Sequence, residues 1–292
     1  MGGLAMIQSD ELVQTATLRD PVLEASFRRD GYVVVDLAPP DVVAGLLESY
    51  ERLDSGIETG YYPSLMSTDE AYKAETHAEV RDLVWPLFDQ LIEGYEPLLG
   101  VFMVKHPGPD TEVPPHRDWI VADESERPTM NAWMPLTPID EQVGQMRVLP
   151  GSHLWLEGLR GSPTFPTQWE AVYERVRDEL MVSVPLEVGQ AMVYDIRLLH
   201  GTSPNRSNGT RVVTSIYAIP DDATPVHYHR SPDGTVRGYE VPSNFCTTFN
   251  IGEVPDGEPF IEIPNYSIQA LTFEEIAERC SSPVHTMQTS PV

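Results

Sequence analysis

The rhythm of hydrophobic positions changes near residue 100. Before that point, the β-branched run Gly31-Tyr-Val-Val-Val-Asp-Leu37 is bounded by turn formers and predicts a buried strand. Apolar residues then recur at helical spacing. Val42, Leu46, Leu47 and Tyr50 predict a helix from Val42 to about Arg52 with Asp41 as its cap. Val80, Val84, Leu87, Phe88 and Leu91 predict a second over about 78–94, limited or kinked by Pro86. Both are expected to be packing elements. Residues 1–20 read as a polar lead-in and 55–69 as a Gly/Tyr/Ser/Pro loop.

Beyond residue 100 the pattern becomes a series of short strands, at 101–105, 113–120, 130–136, 145–149, 181–186, 190–195 and 212–219. A helix is expected near 169–177. Many short strands separated by Gly, Pro and Asn turns predict a sandwich or jelly roll. Residues 221–292 show no domain boundary, and end in a helix where Thr272 and Glu275 form a capping box. The expected organisation is therefore one domain over 1–292. Its core spans about 24–220, and 221–292 form an extension wrapped around the barrel. Loops 55–75, 153–170 and 221–265 are expected to shape a substrate pocket, since loops on a rigid scaffold carry specificity.

Composition narrows the partners. The formal charge of −26, from 45 acids against 19 bases, argues against nucleic acid and anionic membranes. Nor is there a basic cluster for the phosphates of an acyl-CoA. Two cysteines, Cys246 and Cys280, without paired spacing point to neither a disulfide framework nor a thiolate zinc site. No apolar run reaches the length of a membrane span. Met1–Met6 carry no basic or apolar leader pattern, so a cytoplasmic chain is expected.

Candidate chemistry begins at Pro114-Pro115-His116-Arg117-Asp118-Trp119. In an extended segment, His116 and Asp118 would share a face. A second imidazole would complete the two-His, one-carboxylate triad that holds non-haem Fe(II) with open positions. His200 follows the strand at 190–195. Eleven residues later Arg211 opens another strand, and an antiparallel return would bring its guanidinium near His200 to grip a carboxylate bidentately. Thr202 would share the His200 face and add a hydroxyl.

Together with Asn131-Ala-Trp133, Gly144-Gln-Met-Arg-Val-Leu-Pro-Gly-Ser-His153 and Asn205-Arg-Ser207, these residues resemble the phytanoyl-CoA dioxygenase family of Fe(II)- and 2-oxoglutarate-dependent oxygenases, in order over about 24–220. The resemblance implies a mainly β (α+β) fold, a double-stranded β-helix of the cupin-like jelly-roll type with buttressing helices. It implies iron ligands His116, Asp118 and His200. Arg211 would hold the distal carboxylate of 2-oxoglutarate, with Thr202 beside it and Trp133 lining the pocket. Lys105, or Phe102 on the same strand, falls in a region that touches 2-oxoglutarate in relatives. Substrate contacts are expected from Arg117, Asn131 and Arg197. The implied reaction consumes O₂ and 2-oxoglutarate, releases succinate and CO₂, and oxidises an unactivated C–H of a small molecule in amino-acid or natural-product biosynthesis. With Asp118 in place of the small residue that halogenating relatives carry, hydroxylation is expected over halogenation. Desaturation, epoxidation or epimerisation remain open on the same ligands. So does a non-oxygenase jelly-roll metalloprotein, in which Arg211 has no evident task. Among other polar residues, His227 and His229 are expected at the surface or on substrate, His106 at the rim, and His153 in a structural turn. Arg147 is expected to pair with acids, and Tyr61 and Tyr62 to serve as packing or lid residues.

Overall fold

In the strand Arg211–Pro220, all ten residues are buried. Both faces of its sheet are covered, which removes the polar alternation an exposed face would show. The computed structural model describes residues 16–163 and 165–281, so the lead-in reading of residues 1–15 lies outside them. In chain order the elements are α1 (Pro21–Asp30), β1 (Tyr32–Asp36), α2 (Pro40–Arg52), β2 (Tyr61–Pro63), α3 (Glu70–Phe88), β3 (Tyr95–Lys105), β4 (Val113–His116) and β5 (Met130–Pro135). There follow β6 (Met146–Val148), the single turn α4 (Tyr173–Arg175), β7 (Val182–Ser183), β8 (Gln190–Asp195), β9 (His200–Thr202) and β10 (Arg211–Pro220). The chain closes with β11 (Val226–Arg230), β12 (Val236–Glu240), α5 (Phe245–Thr248), β13 (Ile261–Ile263) and α6 (Phe273–Ser281).

A six-stranded sheet runs β1-β8-β5-β10-β3-β2 and a four-stranded sheet runs β4-β9-β6-β7. The strand pairs in both are antiparallel. The two sheets are the layers of a cupin-like jelly roll. Residues of one parity on the large sheet, among them Phe102, Val104, Ala132, Val193, Val212 and Ile216, pack with Leu46, Val80, Val84 and Phe88 of α2 and α3. Residues of the other parity, including Trp133, Met192, Tyr194 and Val213, meet Met146 and Val148 of the small sheet inside the barrel. The helix layer sits tightly on the sheet: a Cβ at Gly100 would come within 2.7 Å of Val80 Cβ.

Several expected boundaries move for identifiable reasons. Pro39 is the N-cap of α2, and Asp41 sits inside its first turn, where a carboxylate favours the helix dipole. α3 begins eight residues before the expected start, capped by Asp69, because the inward positions of its first turns are the polar Lys73 and Thr76. It ends at Phe88, two residues after Pro86. The strand expected over 113–120 stops at His116. The Asp118 and Ile120 amides donate to the Ile196 and Arg160 carbonyls instead of to a ladder. The helix expected near 169–177 is an irregular series of 3₁₀, α and π turns. Residues 221–265, read as loops, contain a three-stranded antiparallel sheet, β11-β12-β13. The Thr272–Glu275 capping box is present, with both reciprocal bonds made.

A candidate metal and carboxylate site

His116 and His200 are direct cross-strand partners on β4 and β9, so their rings lie 4.3 Å apart between centroids. Asp118 has left the strand, yet its Oδ1 lies 3.6 Å from Nε2 of each histidine. The three ligand atoms are all within 4.8 Å of one another. Convergence thus comes from a cross-strand pair and the irregular segment after β4, not from one extended face. Each histidine Nδ1 lies 2.9 Å from a carbonyl two residues earlier, Pro114 for His116 and Leu198 for His200. A carbonyl only accepts, so Nδ1 carries the proton and the Nε2 lone pair faces the centre, as a metal-ligating imidazole requires.

Burial, helped by His116, pushes His200 down to about 4, so it is neutral at physiological pH. Burial opposes charge on Asp118 as well, but the neighbouring His200 and His116 outweigh it and hold the carboxyl well below its usual range. The other carboxylate oxygen is also engaged. Tyr194 donates to Asp118 Oδ2 at 2.9 Å, Asn131 Nδ2 donates to the Tyr194 oxygen at 2.9 Å, and Ser215 donates to Asn131 Oδ1. This buried relay leaves Oδ1 as the carboxylate's free ligand atom.

Behind the triad lies a cationic end to which no carboxylate among the described residues is paired. Arg211 is 1% exposed, donates from Nη1 to the Gly144 carbonyl at 2.7 Å, and leaves its Nε without a partner. Its side chain lies over Trp133, 5.5 Å from the ring. Lys105, the cross-strand partner of Arg211, donates to Thr202 Oγ1 at 2.6 Å and to the Ser203 carbonyl at 2.7 Å. Burial and then Arg211 push Lys105 down to about 6. Burial lowers Arg211 as well, to about 10. Arg211 lies in the opposite sheet from His200, not on an adjacent strand, and the two line one small cavity with Thr202, Trp133 and Tyr61. The buried Arg211 guanidinium, with its orphaned N–H and the Lys105 amine beside it, fits the carboxylate end of a small diacid, and the two imidazoles and Asp118 fit a divalent metal.

On the other side of the triad a cavity of ≈ 210 Å³ opens. His116, Asp118 and Tyr61 line it together with β3, β10 and the segment 225–251. Of the loops expected to shape it, 55–75 and 221–265 contribute wall residues and 153–170 contributes none.

Three predicted contacts lie elsewhere, and a fourth borders the cavity with its guanidinium turned to other partners. Phe102 has the opposite strand parity from Lys105, and stacks edge-on against Tyr50 in the outer helix layer, away from the cosubstrate side. Asn131 is fully buried and committed to Tyr194 and Ser215, so it is a relay member and not a substrate contact. Arg197 forms a bidentate pair with Asp195 outside the cavity. Arg117 borders the cavity, but its guanidinium is spent on the Leu156, Glu157 and Gly158 carbonyls and lies over Trp169. Tyr194 and Ser215 of the relay were missed, and so was Tyr217, which lines the cavity and hydrogen-bonds Asp118. Parity would have found the last two, because Arg211, Val213, Ser215 and Tyr217 share one strand face.

His227 and His229, placed at the surface or on substrate, are buried on β11, and His227 borders the cavity. His153 is buried in the turn, its Nε2 near the Arg28 carbonyl.

The family model described as Phytanoyl-CoA dioxygenase (PhyH) matches residues 27–213. The dioxygenase olcK of Penicillium canescens is 29% identical over 120 residues, 41% of this chain; the match spans only 35% of that protein. Among solved structures, the epimerase SnoN in complex with Fe3+, alpha ketoglutarate and nogalamycin RO aligns with a TM-score of 0.52 at 19% identity, covering 88% of this chain and 98% of that one. The carbocyclase SnoK from nogalamycin biosynthesis gives 0.52 at 19%, over 82% and 94%. HygX from Streptomyces hygroscopicus with nickel and 2-oxoglutarate bound gives 0.51 at 18%, over 70% and 88%. At such identities these likenesses carry the fold. The family match reaches across both sheets and well over half of the sequence, and on that ground the chain belongs to the phytanoyl-CoA dioxygenase family.

Proposed function

We propose that this protein is an Fe(II)- and 2-oxoglutarate-dependent oxygenase that hydroxylates an unactivated C–H of a small molecule in natural-product biosynthesis. The observation that carries the reading is the pairing of a two-imidazole, one-carboxylate cluster with a buried guanidinium that has no acid partner among the described residues. A zinc hydrolase would use the first and leave the second unexplained.

Bound iron, with O₂ and 2-oxoglutarate, supplies the oxidising power, and the diacid leaves as succinate and CO₂. The chain's residues do the holding. Nε2 of His116 and His200 and Oδ1 of Asp118 are the metal ligands. Tyr194 keeps Asp118 from turning both oxygens to the metal. Arg211 receives the distal carboxylate of 2-oxoglutarate. Lys105 fixes Thr202 beside it, and Trp133 forms the wall. The apolar cavity orients the substrate and excludes water. Because Asp118 fills the third ligand position, no place is left there for a halide.

Anaerobic titration of Fe(II) and 2-oxoglutarate into the metal-free protein tests this directly. A visible charge-transfer absorption band is expected, lost in His200→Ala and weakened in Arg211→Ala. A folded wild-type protein that develops no band would end the proposal.

A further inference from the structure

The cavity beside the triad has a wall of one consistent chemistry. From β3 come Leu98 and Met103, and from the segment after β12 come Val241, Phe245, Phe249 and Ile251. The charged groups that border it are already committed. Asp118 faces the two imidazoles, and the Arg117 guanidinium donates to three loop carbonyls. His227 sits among Trp119, Phe245 and Phe249, and burial, with His229 nearby, pushes it down to about 4, so it is uncharged at neutral pH. The Tyr217 hydroxyl is shared with Asp118, so what the wall has left to offer is neutral hydrogen bonding from Tyr61 and Trp119.

The roof is also held in place. Phe245 and Phe249 stack at 4.4 Å, and the buried Lys73 on α3 donates to the Phe249 carbonyl at 2.8 Å. The Gly252 amide donates to Ser162 at 2.9 Å. The apolar shape therefore exists before any ligand arrives.

We infer that the substrate of this site is an uncharged, predominantly hydrocarbon molecule taken up beneath the C-terminal segment. The inference rests on the proposed oxygenase reading only in calling that occupant the substrate. A carboxylate, ammonium or phosphate in this cavity would lose its water and find no counter-ion, a large penalty for an unpaired charge. The overall charge of −26 further opposes polyanions at the entrance. Free amino acids and acyl-CoA thioesters are thereby disfavoured.

Three probes sharing one ring system separate the cases: 2-acetylnaphthalene (neutral), 2-naphthoate (anion) and 2-(aminomethyl)naphthalene (cation). Binding is read on the metal-free protein by tryptophan fluorescence and thermal shift. The ketone is expected to bind and both ions to bind at least tenfold more weakly. Ile251→Trp, and independently Leu98→Trp, should fill the space and abolish ketone binding, with folding checked by circular dichroism. Val241→Lys should raise naphthoate affinity and lower that of the amine. An ion that binds as tightly as the ketone, ketone binding indifferent to both filling variants, or no ketone binding by the folded protein would overturn the inference. Neither iron nor diacid is present in the assay. A negative result beside an intact charge-transfer band removes the substrate class alone, and the converse removes the oxygenase reading alone.

Discussion

Removing a single oxygen atom by Tyr194→Phe tests how the carboxylate is held. The hydroxyl donates to Asp118 Oδ2 at 2.9 Å and accepts from Asn131 Nδ2 at 2.9 Å. Phenylalanine keeps the ring and loses only the oxygen's volume, so the cavity term is small. The variant loses a hydrogen bond to a charged acceptor, worth about 1.5–3 kcal/mol, and strands a buried amide N–H at a cost of about 1–3 kcal/mol. These overlap in one network, so a net loss of about 2–4 kcal/mol is expected in urea denaturation. Freed of its tether, Asp118 can rotate, and outer partners of metal ligands typically contribute a factor of about 10–100 in affinity. The expected result is a weakening of Fe(II) or Co(II) binding by that factor in calorimetric titration. A variant that unfolds earlier but binds metal within about twofold of wild type would refute the relay as a positioning device and leave it a stability feature.

Lys105 makes a pH prediction. Its folded value of about 6 lies below the ordinary 10.5, so between these limits the unfolded chain holds the extra proton. Stability of the ligand-free protein should then rise with pH through that window, by up to about 1.4 kcal/mol per unit from this residue. Lys105→Met should flatten the slope between pH 6.5 and 8.5, and an unchanged slope would count against it. Phe102→Ala should cost about 3–5 kcal/mol in denaturation while leaving 2-oxoglutarate affinity intact, because the ring belongs to the helix-facing core. Arg117→Met should loosen the loop at 156–158, with a stability loss of about 2–4 kcal/mol for three hydrogen bonds to backbone carbonyls. An unchanged stability with a raised substrate KM would restore it as a substrate contact.

Strands and their order were legible where turn formers bound short apolar runs, as at Gln190–Asp195 after Gly189, whose bounds match β8. Legibility failed where a local signal was absent. α3 starts on polar inward residues, and β3 begins at Tyr95, six residues before its expected start, running through Pro97 and Gly100. The sheet at 226–263 was hidden for a related reason. Its strands are short, separated by turns, and mix aromatic, imidazole and charged side chains on partly exposed faces.

The sequence alone determined that two imidazoles, a carboxylate and a guanidinium were present in an order the family shares, because residue type and spacing are properties of the chain itself. Tertiary structure decided what each one faces. A strand covered on both sides gives parity without naming the inner face, so Lys105 and Phe102 looked interchangeable until the helix layer claimed one and the barrel the other. The same holds for Asn131 and Arg197. Their polarity suggested substrate, and their neighbours across the fold, Tyr194 with Ser215 and Asp195, had already taken their hydrogen bonds. Polarity is written in the residue, but the partner that satisfies it is chosen by packing.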